Sequence, residues 1–534
     1  MYKRIFVNQC GYQPEMEKKV TFRAEEPVQF TVLRSDGSTV FEGLAEEKVI
    51  NESAKETDFI GDFSKLKEEG RYYISARGLG ESDTFAIGGD VYLDVLQKAM
   101  HFFYLQRCGF GLSEKAAGIF AHKACHLEKA VVYGSREKRD VCGGWHDAGD
   151  YGRYVGPGAM AAAQLLLAYE ANRELAEAYC NPVYETKKQE MPAYLAEVKY
   201  ELDWMMKMQR EDGALYHKVS CYNFCGFIMP EEENEELVIS PVSVTATADF
   251  AAVMAMAVHF YKGYDETYAA KLEQASRRAY DALKGMTLPG GFRNPKEITT
   301  GEYGDACDKD ERYWAAAELY KAFGEEQYRR DFEALAQEKI YHGYGWTEMG
   351  SYGNRAYLST TYEVDEELKK RIKNSMADLA EEKYKIAEKD GYGTALLKDE
   401  YTWGSNLDAA NNGLQLCDAW FITGDEKYRR AAEEQLHYLL GRNPMGLCYL
   451  TGCGTDAVKH PHHRPSGFLG KAMPGMLSGG PCNLLADETV KQIFTKETPP
   501  AKSLADMTGS YSTNEVTIYW NSAFIQLLCE VCRR

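Results

Sequence analysis

The sequence predicts a multidomain chain, with a small N-terminal immunoglobulin-like β-sandwich followed by a large all-α domain. Three observations predict it. Residues 1–88 alternate short β-prone runs with turn signals, the remainder carries helical periodicity, and the helical segments are separated by long glycine-bearing loops. At 534 residues, 45% of them hydrophobic, the chain exceeds what one ordinary core organises and has apolar side chains enough for two.

In chain order, the β-prone runs are 19–23, 28–33, 39–41 and 71–75, rich in Val, Ile, Phe, Tyr and Thr, with Ser35-Asp36-Gly37 as a turn between the second and third. Their spacing suits an immunoglobulin-like module. The texture changes around Gly88-Gly89-Asp90, which sets the expected domains at 1–88 and 89–534. Helical periodicity then runs through 91–107, 156–172, 190–209, 243–261, 266–285, 312–323, 327–338, 366–384, 406–422, 426–440 and 517–532, with almost no strand pattern. The loops 108–153, 210–240, 286–310 and 441–510 are too long to be idle connections. Helix pairs alternating with such loops read as an α/α toroid whose loops gather at one end to form a groove.

Composition removes several function classes. With 62 basic and 81 acidic side chains the formal charge is −19, a field that repels nucleic acid and anionic lipid, so neither is an expected partner. The chain carries 37 Tyr, 22 Phe and 7 Trp, flat faces of the kind that stack on sugar rings, although packing accounts for most of them. Residues 1–8 contain no apolar run of signal-peptide length, and no stretch is read as reaching transmembrane length. The expected location is therefore cytoplasmic, or secreted if a signal has been removed. The 14 cysteines, including the Cys221/Cys225 and Cys529/Cys532 pairs, then read mainly as reduced core thiols. Neither a phosphate-binding loop ending in Lys-Ser/Thr nor a Gly-x-Ser-x-Gly elbow is present.

Two acidic motifs carry the chemistry. Gly143-Gly144-Trp145-His146-Asp147-Ala148-Gly149-Asp150-Tyr151 wraps an aspartate pair in glycine and aromatics, and Tyr511-Ser512-Thr513-Asn514-Glu515-Val516-Thr517 presents a single glutamate. Taken alone, the first reads as an Asp-Gly turn and the second as a helix-capping glutamate. Together they supply what glycosidic hydrolysis needs: an acid to protonate the leaving oxygen and a carboxylate to activate water.

These motifs, with Pro461-His462-His463-Arg464-Pro465-Ser466, resemble glycoside hydrolase family 9, the inverting cellulases, and Val7-Asn8-Gln9-Cys10-Gly11-Tyr12 resembles the opening of the immunoglobulin-like domain found in one branch of it. The resemblance implies an (α/α)6 barrel that cleaves β-1,4-glucosidic bonds with inversion. It makes Asp150 the catalytic base, Asp147 its partner on the attacking water and Glu515 the general acid, with His462, Arg464 and Tyr511 contacting the sugar. Cys448 and Asp456 depart from the family pattern, which has a small hydroxyl or valine and a Lys, Arg or Asn there. The expected substrate is a β-glucan or soluble cello-oligosaccharide, acted on by a monomer. An exo-acting β-glucosidase or β-glucosaminidase type of member, and a non-catalytic glycan-binding protein, are the alternatives.

Two metals are expected. Cys108, Cys125, His126 and His146 offer two thiolates and two imidazoles, a closed tetrahedral set for zinc, although their spacing is not that of a zinc finger. In the branch that the chain resembles, a structural zinc is held at what look like these positions. Thr300, Glu302 and Asp305, with Asp308 and Asp310 following, form an acidic loop that resembles a calcium loop of relatives, while acids before a helix need no metal at all.

Overall fold

The computed structural model describes residues 3–181, 183, 191–287 and 291–533. Met1, the first residue of the expected 190–209 helix and residues 288–290 of the expected 286–310 loop lie outside them. The chain forms two compact units, one of Met1–Phe102, Ala171–Tyr179 and Ala377–Arg534, the other of Phe103–Glu170 and Cys180–Met376.

The first unit opens with the expected β-sandwich. One antiparallel sheet orders the strands Ile5–Phe6, Lys19–Arg23, Glu56–Asp62 and Glu47–Asn51. The other orders Thr39–Ala45, Val28–Arg34, Gly70–Ala76 and Gly80–Glu81, with Phe85–Ile87 also pairing to Gly70–Ala76. Alternation sends Val20, Phe22, Phe30, Val32, Tyr72 and Ile74 inward to one core. The sandwich is tied to a loop of the same unit, where Thr21 Oγ1 donates to the Gly391 carbonyl at 2.7 Å and Asn51 Nδ2 to Asp390 at 2.9 Å. Asp58 lies beside Gly391, fully buried, with no partner for either carboxylate oxygen. The helices Ser405–Thr423 and Glu426–Leu439 pack on each other and on Ile518–Val531, whose first turn is capped by Thr517 accepting from the Trp520 amide.

The second unit is built around Val244–Tyr261, which packs against Glu266–Leu283 and Lys309–Phe323. Its 18 residues have a mean hydropathy of 1.3, long and apolar enough to cross a membrane by length and composition. The expectation that no stretch reaches that length is corrected here. The helix is apolar all round because it is a core element, 83% buried within the protein.

A second correction concerns the loops 108–153 and 210–240, which are not structureless. They fold into a five-stranded mixed sheet ordered Lys138–Arg139, Ala130–Val132, Leu237–Ile239, Lys218–Cys221 and Arg153–Tyr154. The edge strand Arg153–Tyr154 begins three residues after Asp150, so the sheet anchors the downstream end of the aspartate turn.

Candidate active site

In the second unit, local chemistry explains how the Gly143–Tyr151 turn holds its shape. A Cβ at Gly144, where φ is +78°, would meet the Trp204 ring at 2.6 Å, so glycine is required. The Trp145 amide donates to Glu201 at 2.6 Å and its indole N–H to Glu197 at 3.0 Å. Arg107 grips Glu197 through Nε and Nη2 at 2.9 and 2.8 Å, a forked pair with both partners buried. Gln106 completes the cradle, its amide donating to the carbonyls of His146 and Ala148 at 3.1 Å each.

Both aspartates are buried, Asp147 to 1% exposure and Asp150 to 8%. Tyr303 Oη donates to Asp147 Oδ2 at 2.6 Å, while Asp147 Oδ1 has no partner. Burial raises the Asp147 carboxyl well above the usual carboxylate range; the Tyr303 hydrogen bond opposes this and the Asp150 charge reinforces it. Asp150 Oδ2 accepts the Gly152 amide at 3.0 Å and the Tyr154 hydroxyl at 3.4 Å. Tyr303 holds a left-handed backbone, φ 45°, and stands edge-on to Tyr154 at 4.8 Å and Trp346 at 5.1 Å. Its strained conformation and its aim at a buried carboxylate mark a functional position.

The four expected zinc ligands come together beside this turn, their donor atoms all within 4.8 Å of one another. His126 Nε2 faces Glu233 at 2.8 Å, which leaves the buried Nδ1, without a partner, for a metal. A carboxylate behind a histidine is the usual means of fixing tautomer and ring orientation at a metal. The Cys125 sulfur lies 3.8 Å from His146 Nε2. Soft sulfur with imidazole donors in this number fits zinc.

The expected calcium side chains are committed elsewhere. The Lys218 ammonium donates to Thr300 Oγ1 at 2.8 Å and to the Gly301 carbonyl, while Glu302 pairs with Arg293 at 2.6 Å. A cation of the chain thus occupies the oxygens of Thr300 and Gly301. Burial pulls Lys218 down to about 7, against the raising effect of Asp150 and Glu302. Asp305 is instead a buried acid whose charge, with that of Asp310, raises the carboxyls of Asp249 and Glu311 on top of the larger effect of burial. Asp249 Oδ1, Asp305 Oδ2 and both Glu311 oxygens have no partner.

The first unit carries the other motifs. His462 forms a parallel bridge with Glu515, its amide donating to the Asn514 carbonyl at 2.8 Å. The Gly479 amide donates to the Glu515 carbonyl at 2.8 Å, so two neighbouring segments fix the backbone that presents the glutamate. Asp487 holds the preceding turn, accepting from the Ser512 amide at 3.0 Å, the Ser512 hydroxyl at 2.6 Å and the Ser510 hydroxyl at 3.1 Å. Tyr511 is partly exposed, with Trp403 at 5.2 Å and His462 at 5.9 Å between ring centres. Arg464 begins the short helix Arg464–Leu469. His463, next to His462 in the same motif, is buried against Ser466 at 2.8 Å, and burial lowers its imidazole to about 3. Sequence reasoning missed Glu233, Lys218, Asp487, Trp403 and the buried acids Asp249 and Glu311. Trp403 carried a signal, as one of only 7 tryptophans, placed directly before a glycine; the others acquire meaning only through contacts.

Comparison with known proteins agrees with the motifs. Residues 92–528 match the model of glycosyl hydrolase family 9, and residues 1–81 match that of the cellulase N-terminal ig-like domain. A cellodextrinase of Butyrivibrio fibrisolvens is 39% identical over 98% of this chain and 98% of its own length. A thermostable endoglucanase of Alicyclobacillus acidocaldarius superposes with a TM-score of 0.94 at 34% identity over the whole of both chains. A Zn-binding triple mutant of a family 9 endoglucanase superposes with a TM-score of 0.92 at 31% identity, over 98% of this chain and 100% of its own.

Proposed function

The chain belongs to glycosyl hydrolase family 9, and from that premise we propose that it hydrolyses β-1,4-glucosidic bonds of soluble cello-oligosaccharides with inversion of configuration. The observation that carries this reading is the buried Asp147–Asp150 pair with Tyr303 on one of its carboxylates. Asp150 takes the proton of the attacking water as general base. Asp147, oriented by Tyr303, holds that water. Glu515 protonates the leaving oxygen, and His462, Arg464 and Tyr511 contact the sugar. Direct attack by water on the face opposite the leaving group gives one inversion and no covalent intermediate. The fold we propose for residues 89–534 is the (α/α)6 barrel of the family, with the sandwich over 1–88 and a monomer as the working state.

Zinc at Cys108, Cys125, His126 and His146 would supply a cross-link that contributes to folding, all four ligands being protein side chains. With Thr300 and Glu302 committed to Lys218 and Arg293, calcium would be held by Asp249, Asp305 and Glu311, whose unpartnered oxygens a hard cation would neutralise. Millimolar calcium should then raise Tm in wild type and not in Glu311→Gln.

The cellodextrinase relative favours short soluble substrates. Digestion of cellohexaose, followed by proton NMR of the first-formed anomers and by chromatography of product lengths, tests the reading. An α-configured new reducing end supports it and a β-configured one overturns it. Internal products distinguish endo from exo action. A folded protein that binds cellohexaose without turnover would establish the glycan-binding alternative.

A further inference from the structure

Three cysteines without a role in the site just described meet where the start of the β-sandwich touches the 446–458 segment of the same unit. Gln9 is the hub. Its side-chain oxygen accepts from the amides of Thr455 and Asp456 at 3.0 and 2.8 Å, and its amide group donates to the Gly446 carbonyl at 2.9 Å. Gly454 is packed so closely that a Cβ there would lie 2.9 Å from Gln9 Cβ and 3.1 Å from Cys448 Cβ. This seating of Gln9 on Gly454, Thr455 and Asp456 brings Cys10, the next residue, to the same cavity wall as Cys453, the residue before Gly454.

The three thiols are not equivalent. Cys10 and Cys453 both line a cavity of about 340 Å³, and Cys10 is partly exposed through it. Cys448 does not line the cavity; it is fully buried and donates its thiol to the Leu450 carbonyl at 3.5 Å. Lys98, also on the cavity wall, reaches the Gly452 carbonyl at 3.0 Å, which holds its ammonium one residue from Cys453. The thiols of Cys448 and Cys453 first, and burial next, raise the Cys10 thiol well above its usual value, so the exchange draws on a small thiolate fraction, the species that attacks a disulfide.

We propose that Cys10 and Cys453 form a reversible disulfide that staples the β-sandwich to the 446–458 segment when the protein meets a small-molecule disulfide. The thiolate of one cysteine attacks a sulfur of the disulfide RSSR, forming a mixed disulfide and expelling RS⁻. The second thiolate then attacks the protein sulfur of that mixed disulfide and expels the second RS⁻. Two cysteine thiols are oxidised, one RSSR is reduced to two RSH, and the two thiol protons go to the departing thiolates. The stapled segment is hydrogen-bonded onward: Leu450 bridges Leu477, and Ser478 bridges Val516, next to Glu515. The link therefore restrains the backbone on which the glutamate sits.

The test equilibrates the full-length protein in graded ratios of oxidised to reduced glutathione, traps free thiols by alkylation and maps linked peptides without reduction. The expected result is a peptide pair joining Cys10 to Cys453 that becomes the major species at oxidising ratios and disappears with dithiothreitol. Oxidised wild type should melt on the order of a few degrees above the reduced form. Cys448→Ser should keep both the link and the shift, and Cys10→Ser should lose both. Failure to recover the linked pair at any ratio from folded wild type overturns the proposal. So does a pair joining Cys10 to Cys448, or glutathione left as a stable adduct on Cys10. These readings come from the wild-type protein and stand whether or not the variants fold.

Discussion

Replacing Tyr303 with Phe removes one hydroxyl and leaves a ring of nearly the same shape between Tyr154 and Trp346. The lost contact is the 2.6 Å hydrogen bond to Asp147 Oδ2, made to a carboxylate that is almost completely buried and whose other oxygen has no partner. A hydrogen bond to a charged group contributes about 1.5–3 kcal/mol net. At about 1.4 kcal/mol per factor of ten, kcat/KM on cellopentaose should fall roughly 10- to 150-fold. The pH dependence carries a separate sign. Asp147 is raised by burial and lowered by Tyr303, so removing the hydroxyl raises it further, and the limb on which activity is lost with falling pH should move to higher pH. The assay is a kcat/KM profile from pH 4 to 9, with a thermal melt to show that the fold is retained. Wild-type activity with an unmoved acidic limb would falsify the assignment of Asp147 to the reacting water.

Other substitutions probe other links. Asp150→Asn should lose on the order of a hundredfold or more in kcat, as removal of a general base does, and azide should restore part of it as an α-glycosyl azide detectable by NMR; unimpaired turnover would remove Asp150 from the mechanism. Cys108→Ser should lower zinc content and Tm together, with turnover falling through a displaced aspartate turn, while a metal-free wild type of full stability and activity would contradict the zinc reading. Asp58 is pushed from 3.8 up to about 8, by burial first and by Glu56 and Asp390 next. Between those values the folded state keeps a proton that the unfolded chain releases, so stability falls as pH rises from about 4 to about 8, with a ceiling of about 6 kcal/mol at about 1.4 per unit. Asp58→Asn should flatten that slope in urea melts at pH 5 and pH 8, and an unchanged slope would place the titration elsewhere.

How far the sequence could be read depended on what each residue's role rests upon. The sandwich core was legible because Phe30, Val32, Tyr72 and Ile74 alternate with more exposed neighbours. Strand Glu47–Asn51 was not, being exposed along most of its length at an edge position, Ile50 included. The mixed sheet escaped notice because its strands are two to four residues long, below what a period of two can reveal. The Asp147 and Asp150 motif was readable because glycine, aromatics and acids are compressed into one turn. Glu233 and Lys218 were not, since each looks like a solvated charge until the fold sets it against His126 or Thr300. The acids after Thr300 drew attention as a calcium loop, yet only the fold reveals that Asp305 and Asp310 among them are enclosed.

The short edge strand Arg153–Tyr154 works as a ruler. Its register, Arg153 opposite Val219 and Tyr154 opposite Lys218, sets which face of the strand Tyr154 leaves from, and so whether its hydroxyl can reach Asp150. Side chains alternate along a strand, and a slip of one residue would send Tyr154 to the opposite face. On the mechanism we propose, the length of the connection between Gln209 and Lys218 is therefore a catalytic dimension. A loop exchange that preserved every acidic residue but changed that spacing by one would leave the chemistry spelled correctly and aimed the wrong way.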